Sequence, residues 1–414
     1  MTTFKGLAVR ALGILALAGA LMTPIAGTAA PLAKSYILYV GGYTRGSGKG
    51  VYAYRFSPAS GDIEPLGLIE PAVNPSWLAP SHDHRFLYAA NEHPAKGAPS
   101  TGNSISAYAR DPAIGKLTLL NRVASGGEGP AHLAIDKTGK ILAVANFATG
   151  SVATFHINSD GSIGALAANI VQAGQAAGVQ VAKDENGLSP TDSHIHCVMI
   201  TPDNRYVLTC NIGLGKISAY RLNTATGALV QAGEPLTAAG LPGQNWRPRH
   251  LAFDPSGKFI YINDSSMQVT TASYDPATGA MKPIQSIPVD TGGPANESWA
   301  GSEVRVDAAG KFVYTSARAV DATLKSAHLD GSINVFAVDA ATHTLTPVQQ
   351  ISSGGDSPRS FAFDPSGNYL FVGNEYSGTI AIFAVDKKTG LLSPTGKILK
   401  DAPEPSAYVF EAEK

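Results

Sequence analysis

Six segments of this chain repeat one pattern: an apolar run, a short turn, and a second apolar run that in most copies ends in Asn. They read WLAPSHDHRFLYAANE, HLAIDKTGKILAVANF, CVMITPDNRYVLTCNI, HLAFDPSGKFIYIND, EVRVDAAGKFVYTSAR and SFAFDPSGNYLFVGNE. Their turns begin at Ser81, Asp136, Thr201, Asp254, Asp307 and Asp364, spaced 53 to 65 residues apart. A third run with period-two alternation follows each hairpin, as in GSVATFHI or GTIAIFAV, and then a weaker fourth. Four short strands per unit, at a period of roughly 50 residues, is the signature of a propeller blade. A pair of β-sandwiches holds as many strands, yet gives no reason for six copies in register. A seventh unit is divided between the chain ends. YILYVGGYT reads as its second strand, GVYAYRFSPASGDIEPLG as its third and fourth, and SAYVFEA near the C-terminus as its first. The predicted fold is therefore an all-β, seven-bladed β-propeller with four antiparallel strands per blade. The N- and C-terminal strands close the ring, which removes the free sheet edges.

This single domain is expected over residues 31–414, behind a leader. Lys5 and Arg10 give a cationic start, Ala11 to Met22 is an apolar run, and small residues follow from Ala26 to Ala30. That is the three-part layout of a signal peptide at residues 1–30, with an uncleaved anchor as the alternative. The apolar run falls short of the roughly 20 residues that span a bilayer. No later segment resembles a membrane span, so none is expected once a leader is removed. A periplasmic or secreted location follows. The 31 basic and 32 acidic residues nearly balance and form no basic stripe, which argues against a nucleic-acid partner. Nothing in the pattern sets an oligomeric state.

In an antiparallel hairpin the start of the first strand lies beside the end of the second. With first strands innermost, both positions fall on one rim, around the mouth of a central channel, where side chains from many blades converge. The slot ahead of each first strand holds Ser76, Ala131, His196, Arg249, Ser302 and Arg359. The next position holds Trp77, His132, Cys197, His250, Glu303 and Ser360. The second strands end at Asn91-Glu92, Asn146-Phe147, Asn211-Ile212, Asn263-Asp264, Ala317-Arg318 and Asn374-Glu375. The recurring Asn reads as structural, suited to the turn that leaves a strand. The varying residues carry the chemistry. An Arg forks a carboxylate, phosphate or developing oxyanion, and a His accepts a proton from water near neutral pH. His196, Arg249, Arg318 and Arg359 are the polar or cationic groups in these slots, Asp264, Glu92 and Glu375 add carboxylates, and His194, His250 and Arg359 are candidate substrate contacts. The alternative is that these rim charges only solvate the surface or pair with one another.

His194 and His196 could share a zinc or copper ion, but no third ligand stands at a diagnostic spacing, so no metal or other cofactor is expected. His82, His84 and His93 read as exposed loop residues, and Trp77 as core or channel wall. There is no GxSxG elbow, phosphate loop or EF-hand pattern. Cys197 and Cys210 fall opposite each other if their runs pair. Outside the cytosol they could form a disulfide; two buried thiols are the alternative.

The blocks YVGGYTRGSGKGVYAYRF, GPAHLAIDKTGKILAVANFATGSV, HIHCVMITPDNRYVLTCNIG, RPRHLAFDPSGKFIYIND and SPRSFAFDPSGNYLFVGNE resemble successive blocks of the lactonase family. That family includes bacterial 6-phosphogluconolactonase of the propeller type and a fungal muconate lactonising enzyme. The resemblance runs from about Tyr36 to Phe410. It implies a site built from a His, two Arg and a Glu, which map to His196, Arg249 and Arg318, with Asp264 nearest to the Glu. The hairpin ending at Asp264 is one residue short, and an ungapped count puts Ser265 in the Glu slot. The family's DLG-like segment also reads differently, as Asn211-Ile212-Gly213. Insertions at 95–102, 172–190 and 320–329 are expected on loops. The resemblance implies hydrolysis of an anionic or polyhydroxylated sugar-type lactone, without phosphate if the chain is exported. A non-catalytic binding propeller and a muconate-type lactonising isomerase are the alternatives.

Overall fold

The computed structural model describes Met1 and residues 32–92, 102–174, 192–237, 246–293, 298–320, 329–400 and 402–414. The predicted leader, His93 and most of the three insertions lie outside these residues. Residues Ala33–Lys414 form one compact unit. Its 28 strands make seven four-stranded antiparallel sheets, as the repeat predicts. The inner strands are Pro75–Pro80, Pro130–Ile135, Ile195–Ile200, Pro248–Phe253, Trp299–Val306, Pro358–Phe363 and Pro405–Ala412; they define blades I to VII in that order. Each inner strand packs against the next around the ring. Blade VII is the composite one. Pro405–Ala412 pairs with Tyr36–Gly42, placing Val409 opposite Tyr39, and Gly50–Ser57 and Asp62–Pro71 complete the sheet. Among the described residues, no helix is long and apolar enough to cross a membrane.

The apolar runs are continuous because both faces of each sheet are buried between blades. Successive residues alternate between two neighbours. Ile141 and Ala143 join the core shared with blade III, whereas Leu142 and Val144 join the core shared with blade I. Seven such clusters fill the seven interfaces. Buried tyrosines of the second strands tie blade to blade. Tyr39 donates to the Gly115 carbonyl at 2.9 Å, Tyr88 to Gly161 at 2.9 Å and Tyr314 to Gly390 at 2.7 Å.

The repeated turn follows from one carboxylate. Asp254 accepts N–H bonds from Ser256, Lys258 and Phe259, and Asp136 and Asp307 act alike. Ser81 and Thr201 make the last of these bonds with a hydroxyl, to Phe86 and Tyr206 N–H. Three residues on, the backbone turns left-handed, at φ near 69° for Gly257, which explains the glycine there in four of the six copies. The strand-ending Asn residues are structural: Asn211 bonds its own turn, accepting Leu214 N–H at 3.0 Å, and others reach beyond theirs. Asn263 Nδ2 donates to the Glu303 carbonyl at 2.7 Å, and Asn374 Nδ2 to the Ser353 carbonyl at 3.1 Å. Each stays in its strand and fastens it to a neighbouring strand or blade.

Candidate active site

The rim slots have a structural cause. In every inner strand the register slips by one residue near its start. Ile195 pairs with Asn211 and Cys197 with Cys210, so His196 is an extra residue. The same slip leaves Ser76, Ala131, Arg249, Arg359 and Ser406 unpaired, and in blade V it falls between Gly301 and Val304. A β-bulge re-aims its extra side chain out of the pleat. Bulged position and strand-two end are therefore neighbours, as Pro248 opposite Asp264 and Ala300 opposite Arg318 show. The arginines and the histidine of these slots occupy one arc, blades III to VI, with His196, Arg249, Arg318 and Arg359.

One residue beyond the bulge, the side chains form a belt. Trp77 stacks on His132 at 3.8 Å between centroids, and its edge meets His250 at 5.4 Å. Blades I and IV lie on opposite sides of the ring, so these rings close the channel at that level. His250 lies at the centre of a hydrogen-bonded chain. Its Nε2 is 3.2 Å from His196 Nδ1, and its Nδ1 is 3.1 Å from Glu303 Oε1. Glu303 also accepts Val304 N–H at 2.9 Å, the Ser360 hydroxyl at 3.0 Å and Arg305 at 3.3 Å. Burial disfavours the Glu303 carboxylate, but Arg305 and His250 outweigh it and hold its pKa well below the usual range. Burial, opposed in part by Glu303, lowers His250 to about 4. Burial and then Arg249 push His196 well below the ordinary histidine value. Both imidazoles are therefore neutral at pH 7.

Arg249 donates to the Ser302 carbonyl. Among the described residues neither Arg249 nor Arg318 has a carboxylate at ion-pair distance, and Arg318 Nε has no hydrogen-bond partner. Burial and neighbouring arginines lower the pKa of both, so among the described residues each is a cation short of counter-charge. Across the mouth the charges are matched. Glu375 pairs with Arg45 and, at 3.9 Å, with Arg359. Tyr43 accepts from Arg359 and donates to Glu92 at 2.7 Å, while the Arg45 guanidinium lies 4.0 Å over its ring.

The other predicted residues fall as follows. His194 stacks on Phe147 at 4.6 Å, and its Nδ1 is 3.1 Å from the Phe147 carbonyl. His250 has both ring nitrogens engaged by protein groups. Asp264 accepts N–H bonds from Ser266 at 2.6 Å and Gln268 at 3.4 Å, and Arg247 is the cation that acts on it. Its second oxygen is buried without a partner, and burial raises its pKa to about 7. The carboxylate bonded to the histidine pair is Glu303, which sequence reasoning placed in the ring but gave no role. Its signal was its slot, in register with His250 on the next blade. Cys197 and Cys210 stand opposite each other as two buried thiols, without the bond that their pairing allowed. Among the described residues no three His, Cys, Asp or Glu side chains converge on a metal-binding point.

Residues 37–410 match the family model described as "Lactonase, 7-bladed beta-propeller". The chain is 30% identical to a 6-phosphogluconolactonase of Bacillus subtilis, with 82% of this chain and 88% of that protein covered. It is 28% identical to a 6-phosphogluconolactonase of Formosa agariphila, over 82% and 90% of the two chains. The solved structure of a periplasmic gluconolactonase from Pseudomonas aeruginosa superposes with a TM-score of 0.79 at 28% identity, covering 92% of this chain and all of that one (100%).

Proposed function

The chain belongs to the lactonase family of seven-bladed β-propellers, and on that premise we propose that it hydrolyses a sugar-type lactone, acting outside the cytoplasm on an unphosphorylated aldonolactone. One observation carries the reading: a neutral histidine, His196, is held at the mouth beside two arginines that have no carboxylate partner among the described residues. His196 Nε2 takes a proton from water as the water oxygen adds to the lactone carbonyl. Arg249 and Arg318 stabilise the tetrahedral oxyanion, the usual source of large rate effects in acyl transfer. The ring C–O bond then breaks, and the alkoxide leaves with the proton from the His196 imidazolium. The product is an aldonic acid, which gives its proton to solvent, and the same arginines can hold the resulting aldonate carboxylate. Asp264 takes no proton in this scheme.

Two features favour the unphosphorylated substrate. The N-terminal segment has the composition of an export leader. And of the four arginines around the mouth, Arg45 and Arg359 are already matched by Glu375 and, through Tyr43, Glu92, which leaves two for the carbonyl and none for a phosphate. The test is hydrolysis of D-glucono-1,5-lactone and of its 6-phosphate by the purified chain, each corrected for spontaneous opening. A higher kcat/KM on the unphosphorylated lactone is expected. Rates at the buffer level on both would overturn the reading, and a strong preference for the phosphate would overturn its substrate half.

A further inference from the structure

We propose that Glu303 and His250 are positioning residues that set the tautomer of His196 and so deliver a bare Nε2 to the mouth. The inference rests on the reading of His196 as the base. The deduction runs through donors and acceptors. An ionised carboxylate only accepts, so the bond between Glu303 Oε1 and His250 Nδ1 requires a proton on Nδ1. A neutral His250 then has no proton on Nε2. That nitrogen is 3.2 Å from His196 Nδ1, so His196 must be the donor there. A neutral His196 with its proton on Nδ1 has an unprotonated Nε2, the form that removes a proton from water.

The surroundings make both conditions hold. The charged and titratable groups around the pair are Arg249 on blade IV, Arg359 on blade VI, His132 on blade II, Cys197 beside His196, and Glu303 and Arg305 on blade V. Arg249 and Arg359 oppose a second proton on His196, and on His250 burial and Arg249 outweigh Glu303 and Cys197, which favour one. His196 Nε2 has no hydrogen-bond partner among the described residues, so it is the one free ring nitrogen of the pair. Once His196 takes a proton from water, its Nδ1–H bond to His250 strengthens, and the positive charge is stabilised toward Glu303 through two rings. A base flanked by Arg249 needs such a route for its charge, because among the described residues no carboxylate touches it directly.

The first test reads the tautomer itself. The protein is labelled with 15N-histidine, the His196 signals are assigned by their loss in H196Q, and long-range proton–nitrogen correlations are recorded at neutral pH. The expected pattern has His196 protonated on Nδ1 only. A proton on Nε2, or on both nitrogens, would overturn the proposal, whether or not the protein opens lactones. The second test compares two substitutions at one site. The glutamine of H250Q can accept from His196 and donate to Glu303, whereas H250L only fills the space. H250L is expected to lose about 10²-fold in kcat with little change in KM, and H250Q to recover at least about tenfold of that. Equal losses in the two variants, or a fully active H250L, would overturn it. Should H250L fail to fold, the wild-type tautomer still decides. Should the wild type open no lactone, the proposed function fails while the tautomer measurement keeps its meaning.

Discussion

The two sides of the mouth use the same residue types for opposite ends. On blades III to V, His196, Arg249 and Arg318 are buried or half-buried with too little counter-charge among the described residues, and every pKa is driven toward the neutral form. On the side reached by blades VI and VII, Arg359 and Arg45 close on Glu375, whose carboxylate is held in its charged form against burial by Arg359, Arg318, Arg45 and Arg249. Perturbed groups in a cleft mark functional sites, whereas matched pairs mark structure. The number of charges is therefore a poor guide. On the proposed function, what separates the two sides is whether each charge already has its partner.

Substitutions at the two sides should separate these roles. The largest effect is expected from H196A, which should lower kcat on glucono-1,5-lactone by about 10³-fold while the melting temperature moves little. Next is R249K, which retains the charge but not the fork, and should lose about 10²-fold in steady-state kcat/KM. E375Q should do the reverse of H196A. Unpairing Arg359 and Arg45 is expected to destabilise the fold by about 3 kcal/mol in urea unfolding, with kcat within severalfold of wild type. A kcat loss in E375Q as large as that in H196A would erase the distinction between the two sides.

The smallest effect concerns Asp264, which belongs to neither group. Its folded pKa is raised to about 7 by burial, above the unfolded value, so the stability from keeping it neutral is lost as pH rises toward 7. Between about pH 5 and pH 7 this removes about 2 kcal/mol. D264N should flatten that decline in a pH series of thermal melts. An unchanged slope would mean that the carboxyl is already ionised at low pH.

The sequence showed the propeller because each blade repeats the same physics: a turn aspartate, a left-handed glycine and a run buried on both faces. The closing strand around Tyr408 was legible for the same reason, since only a first strand was missing from the split blade. The candidate site was legible by position only, because the hairpin forces His196, Arg249 and Arg318 to one rim. Two things were not. The bulge at His196 leaves no mark in composition, and it is what turns that side chain out of the sheet. The role of Glu303 depends on a contact between blades IV and V, and spacing along the chain carries no record of register between blades. Asp264 drew attention because it matched a motif within its own hairpin, while the carboxylate bonded to the histidines came from the neighbouring blade.

The most direct test is the pH profile of kcat on glucono-1,5-lactone, corrected for spontaneous opening, between about pH 4 and pH 8. A neutral His196, kept from its second proton by burial and by Arg249, predicts a plateau that continues well below the ordinary histidine pKa of about 6.5, and a plateau that is absent in H196Q. A profile that halves near pH 6.5, or one that H196Q leaves intact, would contradict it.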